Sequence, residues 1–393
     1  MINLHLYDGL YFFSYLIIMG IPAFILGIME KPKLMRYYIA LTTVFIIYLV
    51  CKGSWIAMGN IALFSVAQIA LAKIFMKVVE KYGRVKWHLW VAVILSIAPL
   101  CVYKMTDFYL GHGFLGFIGI SYMTFKSVQI IIEIYDDLIH EVKVFDVLNF
   151  YLFWPTLLSG PIDRSRRFME DFSGEAGLSR REYLDLFGEG LFKIILGLFY
   201  KLVIAATIYQ GVYWLGQEPS VKSTLIYMYC YGFYLFFDFA GYSNMAIGVS
   251  YIFGIKTPEN FNKPFISKDI KEFWDRWHIT LSHWFRDFIF SRYSMAAIRG
   301  KWFSDRVVMS SIGFIINMGI MGVWHGLSIS YILYGLYHGI LLALNDVYQK
   351  KFKFHKKHKK ERWYQILSWF ITFNLVMFGF LIFSEHLVQL MRK

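Results

Sequence analysis

Apolar runs of about 18 residues or more recur along this chain, and a run of that length can cross the hydrocarbon core of a bilayer as a helix. They restrict the fold severely, because within hydrocarbon every backbone N–H and C=O must be paired internally, which only helices and closed barrels achieve. A barrel would show alternating segments of about 10 residues, whereas these runs are unbroken. The sequence therefore predicts an all-α polytopic membrane protein. With 58% hydrophobic and 20% aromatic residues, the composition excludes a soluble globule. The formal charge of +13 gathers in short segments between the runs, as on the cytoplasmic side of a membrane protein. No basic stripe lies on a foldable soluble domain, so nucleic acid is not an expected partner.

Runs at 10–28, 36–50, 54–76, 88–103 and 112–133 predict five crossings. Lys31, Lys33 and Arg36 in the first loop and Lys77, Lys81, Arg84 and Lys86 in the third place those loops inside and the N-terminus outside. Asp8 precedes the first run without any Lys or Arg, so the run lacks the basic flank of a cleaved signal and is expected to be retained. Segment 145–159 is read as re-entrant, since a full crossing would carry Arg164, Arg166, Arg167, Arg180 and Arg181 to the outer face. Runs 183–215 and 223–253 go out and back, and hold Glu189, Lys193, Lys201 and Asp238, which must face protein or water. Residues 254–306 form a basic, Trp-rich inner block; runs 307–324, 327–347 and 364–390 complete about ten crossings, with both termini outside. The whole chain, 1–393, is read as a single membrane domain with re-entrant and interfacial helices. The three cysteines are far apart and are read as small buried side chains.

The polar residues that survive in such a chain carry the functional information. From Trp274 to Asp287 a helical period places Trp274, Trp277, Leu281, Trp284 and Phe288 on one face, and Asp275, His278, Ser282 and Arg286 on another. This reads as one amphipathic helix at an interface or lining a hydrated cavity. On it Asp275 or Ser282 could reach His278, which is either a functional group or a satisfied interfacial histidine. His325 stands in Gly322-Val323-Trp324-His325-Gly326, a glycine-flanked break between two apolar runs. Unwound backbone there must line a cavity or be packed in protein, and a histidine can take a proton near neutral pH. The bland alternative is a packing histidine between helices. His283, with Asp287 four residues on, reads as structural, and the tract from His355 to Lys360 as solvated beside lipid headgroups. No ligand set with metal-binding spacing, no nucleophile elbow and no phosphate-binding loop is present, so no metal is expected. In the segment from Arg292 to Trp302, Met295, Ile298 and Trp302 share a helical face rimmed by Arg292 and Arg299. That pattern fits a docking patch or a helix lying on anionic lipid.

Four motifs in this order and spacing resemble the membrane-bound O-acyltransferases: Phe237 to Gly248, Asn260-Phe261-Asn262-Lys263-Pro264-Phe265, Trp274 to Asp287, and Met321 to Gly326. The resemblance covers residues 120–345 and is greatest to the branch that serves teichoic-acid D-alanylation. It implies a catalytic His325 with His278 as its partner, and it makes Ser282, Asp238, Trp274 and Arg286 candidate substrate-binding residues. It further implies a D-alanyl thioester on the 4'-phosphopantetheine arm of a small acidic carrier protein, with no tightly bound cofactor. Arg292, Met295, Ile298, Arg299 and Trp302 would be the carrier-docking patch. The acceptor would be a hydroxyl of (lipo)teichoic acid outside the cell membrane, aided by an accessory D-alanylation protein. Alginate-acetylating relatives often carry Asp where this chain has Asn244, which argues against a catalytic role there. The alternatives are an acetyltransferase for an exported polysaccharide and a transporter of a lipid-linked polymer.

The charge bias gives a direct test of sidedness. In a background without the native cysteines, a cysteine near Gln217 should react with an impermeant thiol reagent added outside, and one near Lys357 should not. The reverse labelling pattern would invert the topology.

Overall fold

A computed structural model describes residues 6–7, 9–175, 177–217 and 220–391, so the expectations for Asp8 and for the two chain ends fall outside the described residues. Among them all regular structure is helical. The chain divides into two compact units, Met1–Leu198 with Tyr242–Pro258, and Phe199–Gly241 with Glu259–Lys393.

In the first unit, α1 (Gly9–Ile28), α2 (Pro32–Val50), α3 (Trp55–Tyr82) and α4 (Lys86–Leu110) leave large apolar side chains exposed, such as Ile17, Leu41, Val66 and Ile94. These are lipid-facing positions. Helix α5 (Ile120–Tyr135) is buried on all sides and packs against α3 and α4. Its contacts include a polar ladder: the Ser96 hydroxyl donates to Gln68 Oε1 at 2.8 Å and lies 2.9 Å from Ser127 Oγ. Each buried polar atom there thus meets another.

Helix α6 (Val144–Leu152) has only 9 residues. At 1.5 Å per residue it spans about 14 Å, half of the ~30 Å hydrocarbon core, so the expected re-entrant segment is a short helix. It ends in a 3-10 turn at Trp154–Thr156. Its last carbonyls are met by Lys126 of α5, whose Nζ donates to Phe150 O at 2.7 Å and to Tyr151 O at 3.4 Å. An ammonium at a helix C-terminus satisfies orphan carbonyls and opposes the dipole. Helix α7 (Ser165–Ser173) lies beyond, with Arg167 held between Asp163 and Asp171. Helix α8 (Arg180–Leu198) approaches the later helix α10 (Val221–Ile252) at paired glycines: a Cβ on Gly190 would stand 2.8 Å from Gly248 O. Above that contact the Tyr183 hydroxyl donates to Ile252 O at 2.8 Å, and Lys193 faces the Tyr251 ring and Glu189.

The second unit begins with a π-helical stretch, Phe199–Ala205, that runs into α9 (Ala206–Gln217). Lys201 within it forms an ion pair with Asp238 of α10, so these two intramembrane charges neutralise one another. Short helices α11 (Ile270–Arg276), α12 (Ile279–Phe285) and α13 (Ser291–Arg299) follow, with a second π-helical stretch at Arg286–Phe290 between the last two. Helices α14 (Arg306–His325) and α15 (Ile329–Lys351) form a hairpin joined through Gly326. Their backbones nearly touch: a Cβ on Gly339 would lie 2.9 Å from Ile315 Cα, and one on Gly322 3.1 Å from Gly335 Cα. Asp346 of α15 accepts from Ser310 of α14 at 2.6 Å. The basic tract forms α16 (Lys353–His358), and α17 (Arg362–Phe383) packs on α15. The last apolar run, expected to continue to 390, stops at Phe383; α18 (His386–Met391) is a separate short helix. Glu385 between them adopts a left-handed φ of 63°, which breaks the helical ladder.

Among the described residues, seven helices are long and apolar enough to cross a membrane: α1 to α4, the continuous α8–π–α9 helix, α14 and α17. The expected count of about ten is compatible with adding α5, α10 and α15, which are shorter or more polar. The protein is thus an all-helical, multi-pass membrane protein.

Candidate active site

The Trp274–Asp287 stretch differs from the single amphipathic helix expected. It breaks at Trp277, which is extended, and His278, whose φ of 45° and ψ of 52° are left-handed. The break is stitched to the Asn260 turn: Ile279 N donates to Asn260 O at 2.9 Å, and Asn262 N to Arg276 O at 3.0 Å. Backbone groups released from the helix are thereby paired with a neighbouring strand of loop. The apolar face survives the break, since Trp274, Trp277, Leu281 and Trp284 are all buried.

The break changes where His278 goes. It is 4% exposed rather than interfacial, with its ring edge-to-face against Phe239 at 4.7 Å and beside Phe261. Neither of its expected partners holds its side chain. Asp275 is exposed, and the Ser282 hydroxyl instead donates to Trp277 O at 3.2 Å. The ring's partner is Asn260, with Nδ1 at 3.0 Å from Oδ1. That Oδ1 also accepts from the Thr280 hydroxyl at 2.9 Å and the Thr280 backbone N–H at 3.4 Å. Since a backbone N–H can only donate, the atom is an oxygen, and His278 Nδ1 must carry the proton. The lone pair then sits on Nε2. Burial, and after it the nearby His325, hold this imidazole well below its usual range, at about 3, so the ring is neutral at physiological pH.

His325 ends α14 at the hairpin break and is only partly buried. Trp324 (4.7 Å), Phe383 (5.2 Å), Tyr331 (6.2 Å) and Tyr334 (6.2 Å) surround its ring. Tyr334 in turn meets His338, one turn further along α15, at 4.7 Å. His338 is fully buried against Trp274 and Phe273, and neither ring nitrogen has a hydrogen-bond partner among the described residues. Trp274 therefore backs His338 and Tyr334. The remaining candidates lie elsewhere: Asp238 is occupied by Lys201, and Arg286 is exposed and paired with Asp287 at 2.9 Å.

The patch residues sit on and after α13. Met295, Ile298 and Trp302 are 48%, 55% and 58% exposed, Arg299 is exposed and Arg292 is partly buried. The helix ends at Arg299, so Trp302 is reached through a turn at Gly300 and Lys301 rather than along one helical face. Among the described residues no three His, Cys, Asp or Glu side chains converge as metal ligands.

Asn260, Phe239, Tyr334 and His338 were not singled out by the sequence. Asn260 lay in plain view as a turn residue, but only its contact across 18 residues reveals that it sets the His278 tautomer. Chemically, the site offers one neutral imidazole of fixed tautomer and one accessible imidazole, both walled by aromatic rings. That is a setting for proton transfer with water largely excluded.

Known proteins match this chain over most of its length. The model of the MBOAT, membrane-bound O-acyltransferase family matches residues 34–387, well beyond the 120–345 stretch marked by the motifs. A teichoic acid D-alanyltransferase of Bacillus subtilis is 41% identical over 391 residues, covering 96% of this chain and 97% of its own. One from Streptococcus thermophilus is 39% identical over 99% of this chain and 97% of its own. A probable alginate O-acetylase of Pseudomonas aeruginosa is 33% identical over 290 residues, 73% of this chain and 52% of its own. This chain is a membrane-bound acyltransferase and belongs to the membrane-bound O-acyltransferase family.

Proposed function

We propose that the protein transfers a D-alanyl group from a carrier-protein phosphopantetheine thioester toward a hydroxyl of (lipo)teichoic acid at the cell membrane, with His325 as general base. The observation that carries the chemistry is a partly exposed His325 at the hairpin break together with a buried His278 whose Nδ1 is held by Asn260. The acyl group and acceptor are taken from the D-alanyltransferase relatives, which match almost end to end. His325 takes the proton of the acceptor hydroxyl as its oxygen attacks the thioester carbonyl; the C–S bond then breaks, and the proton passes to the departing thiolate. His278, with its Nε2 lone pair, positions the donor by accepting from an amide N–H of the pantetheine arm. Trp274 backs Tyr334 beside His325, while Ser282 supports the site by bracing the break at Trp277 O. Asp238 and Arg286 are engaged in ion pairs away from the histidines and are given no role in this chemistry.

The exposed patch of Met295, Ile298 and Trp302, with Arg292 and Arg299, suits a small acidic carrier: an apolar centre with a cationic rim. An accessory D-alanylation protein would meet the acyl group on the outer face. The acetyltransferase alternative keeps some support from the alginate O-acetylase relative, which matches less of this chain. The transporter alternative gives way to membership of an acyltransferase family.

Three outcomes test the proposal. His325→Ala should lower D-alanyl transfer by roughly 10²–10⁴-fold in a protein that still inserts and elutes normally from a sizing column, the range for loss of one general base. Near-normal transfer would remove His325 from the chemistry. Asn260→Asp places a carboxylate against Nδ1, which favours the imidazolium and raises the His278 pKa. Raised by about 1–3 units from about 3, the His278 ionisation should reach into the acid limb of the pH–rate profile and add a loss of activity there beyond the one that protonation of His325 causes. An unmoved limb would show that the neutral ring is not needed. Met295→Asp with Ile298→Asp should sharply weaken carrier binding in detergent, where no bilayer competes; unchanged affinity would assign the patch to lipid.

A further inference from the structure

Two residues beyond Phe383, whose ring lies 5.2 Å from that of His325, stands a carboxylate that general-base chemistry does not use. Glu385 lies at the junction of α17 and α18 and is partly buried. It holds a left-handed backbone, which is costly for a residue other than glycine and tends to persist where the surroundings enforce it. Ser328 enforces it. As the residue before α15, Ser328 would ordinarily cap that helix with its side chain, yet it makes no such bond. Its hydroxyl donates instead to Glu385 Oε1 at 2.8 Å. The carboxylate is thereby tied three residues beyond His325, and it acts electrostatically on the phenols of Tyr331 and Tyr231. No Lys, Arg or His among the described residues pairs with it. Three residues after Ser328 and two before Glu385, the rings of Tyr331 and Phe383 lie 5.0 Å apart, and both flank His325.

A tethered anion with aromatic faces is the chemistry that recognises an ammonium, through charge and through the ring quadrupoles. A partly buried carboxylate that accepts from a neutral hydroxyl keeps its charge uncompensated, and a ligand of opposite charge stabilises it. An aminoacyl thioester brings such a group to this place, because its α-ammonium is bonded to the carbon next to the reacting carbonyl. An acetyl thioester has none. We propose that Glu385, held by Ser328 near Tyr331 and Phe383, binds the α-ammonium of the acyl group and selects an aminoacyl donor over a simple acyl donor. The proposal rests on the D-alanyl reading above, and names the determinant that would separate it from acetyl transfer.

The test uses full-length protein in nanodiscs and the carrier loaded either with D-alanyl or with propionyl thioester, which has the same carbon skeleton without the amine. The readout is the ratio of kcat/KM for the two donors, from acceptor-dependent loss of each thioester. The wild type should favour D-alanyl. Glu385→Gln keeps the shape and the bond from Ser328 but removes the charge, and should lower the ratio by roughly 10- to 100-fold, the worth of one charged hydrogen bond. Ser328→Ala keeps the charge but releases its tether, and should lower the ratio by less. A ratio unchanged in both variants would mean that Ser328 and Glu385 merely lock α17 and α18 to α15, and would overturn the proposal. A wild type without preference overturns it as well. A wild type inactive with both donors overturns the D-alanyl reading itself, a failure visible before any variant is made.

Discussion

A buried peptide group that leaves the helical ladder must find another partner, and the junction of Asn260 with His278 is where this protein meets that demand. One side chain and one backbone carbonyl of Asn260 receive four donors from residues 278–280. Without them the break between α11 and α12 would strand its amides, at a cost of about 1–3 kcal/mol for each buried unpaired group. With them, a histidine can sit in a left-handed conformation that a continuous helix forbids. The buried ring, its tautomer and its neutrality all follow from that local arrangement.

A second consequence concerns how an accessible histidine can be kept rigid. His325 terminates a helix, and chain ends ordinarily fray. Here the terminus is clamped, because Gly322 and Gly339 bring the two hairpin backbones into direct contact and leave no side chains to slide past one another. Van der Waals packing of small residues is the main adhesive between helices in lipid, where the hydrophobic effect offers little. The hairpin thus supplies to His325 what the Asn260 turn supplies to His278, a fixed position, by a different physical route.

Much of this was legible in the sequence, for reasons that differ by residue. The spans were readable because lipid imposes length and apolarity, and the segment at 145–159 stood apart from them because it is too short to be one of them. The pairing of Lys201 with Asp238 was foreshadowed by the cost of charges at depth. The two histidines stood out because Trp-His-Gly and Trp-Asp-Arg-Trp-His are rare company in apolar sequence. The break at His278 was not legible: Trp277, His278 and Ile279 contain neither glycine nor proline, and a helical period runs through them undisturbed. Tertiary hydrogen bonds from 18 residues away overrode local propensity, so Asp275 and Ser282 were assigned to a ring they do not hold. Ser328 and Glu385 were invisible for the same reason, being 57 residues apart with no shared motif.

The π-helical stretch at Arg286–Phe290 fixes more than its own five residues. A π turn is an α-helix with a residue inserted, often retained near functional sites. Each residue in an α-helix advances the azimuth by about 100°, so the insertion sets the rotational phase of everything downstream. Met295 and Ile298 owe their outward orientation to that phase as much as to their own chemistry. Homologous chains that lose or gain one residue between α12 and α13 would turn a different set of side chains outward while conserving every residue of α13. Alignments that score α13 by identity alone would miss the difference, and indels in this short stretch are therefore the place to look for altered partner choice within the family.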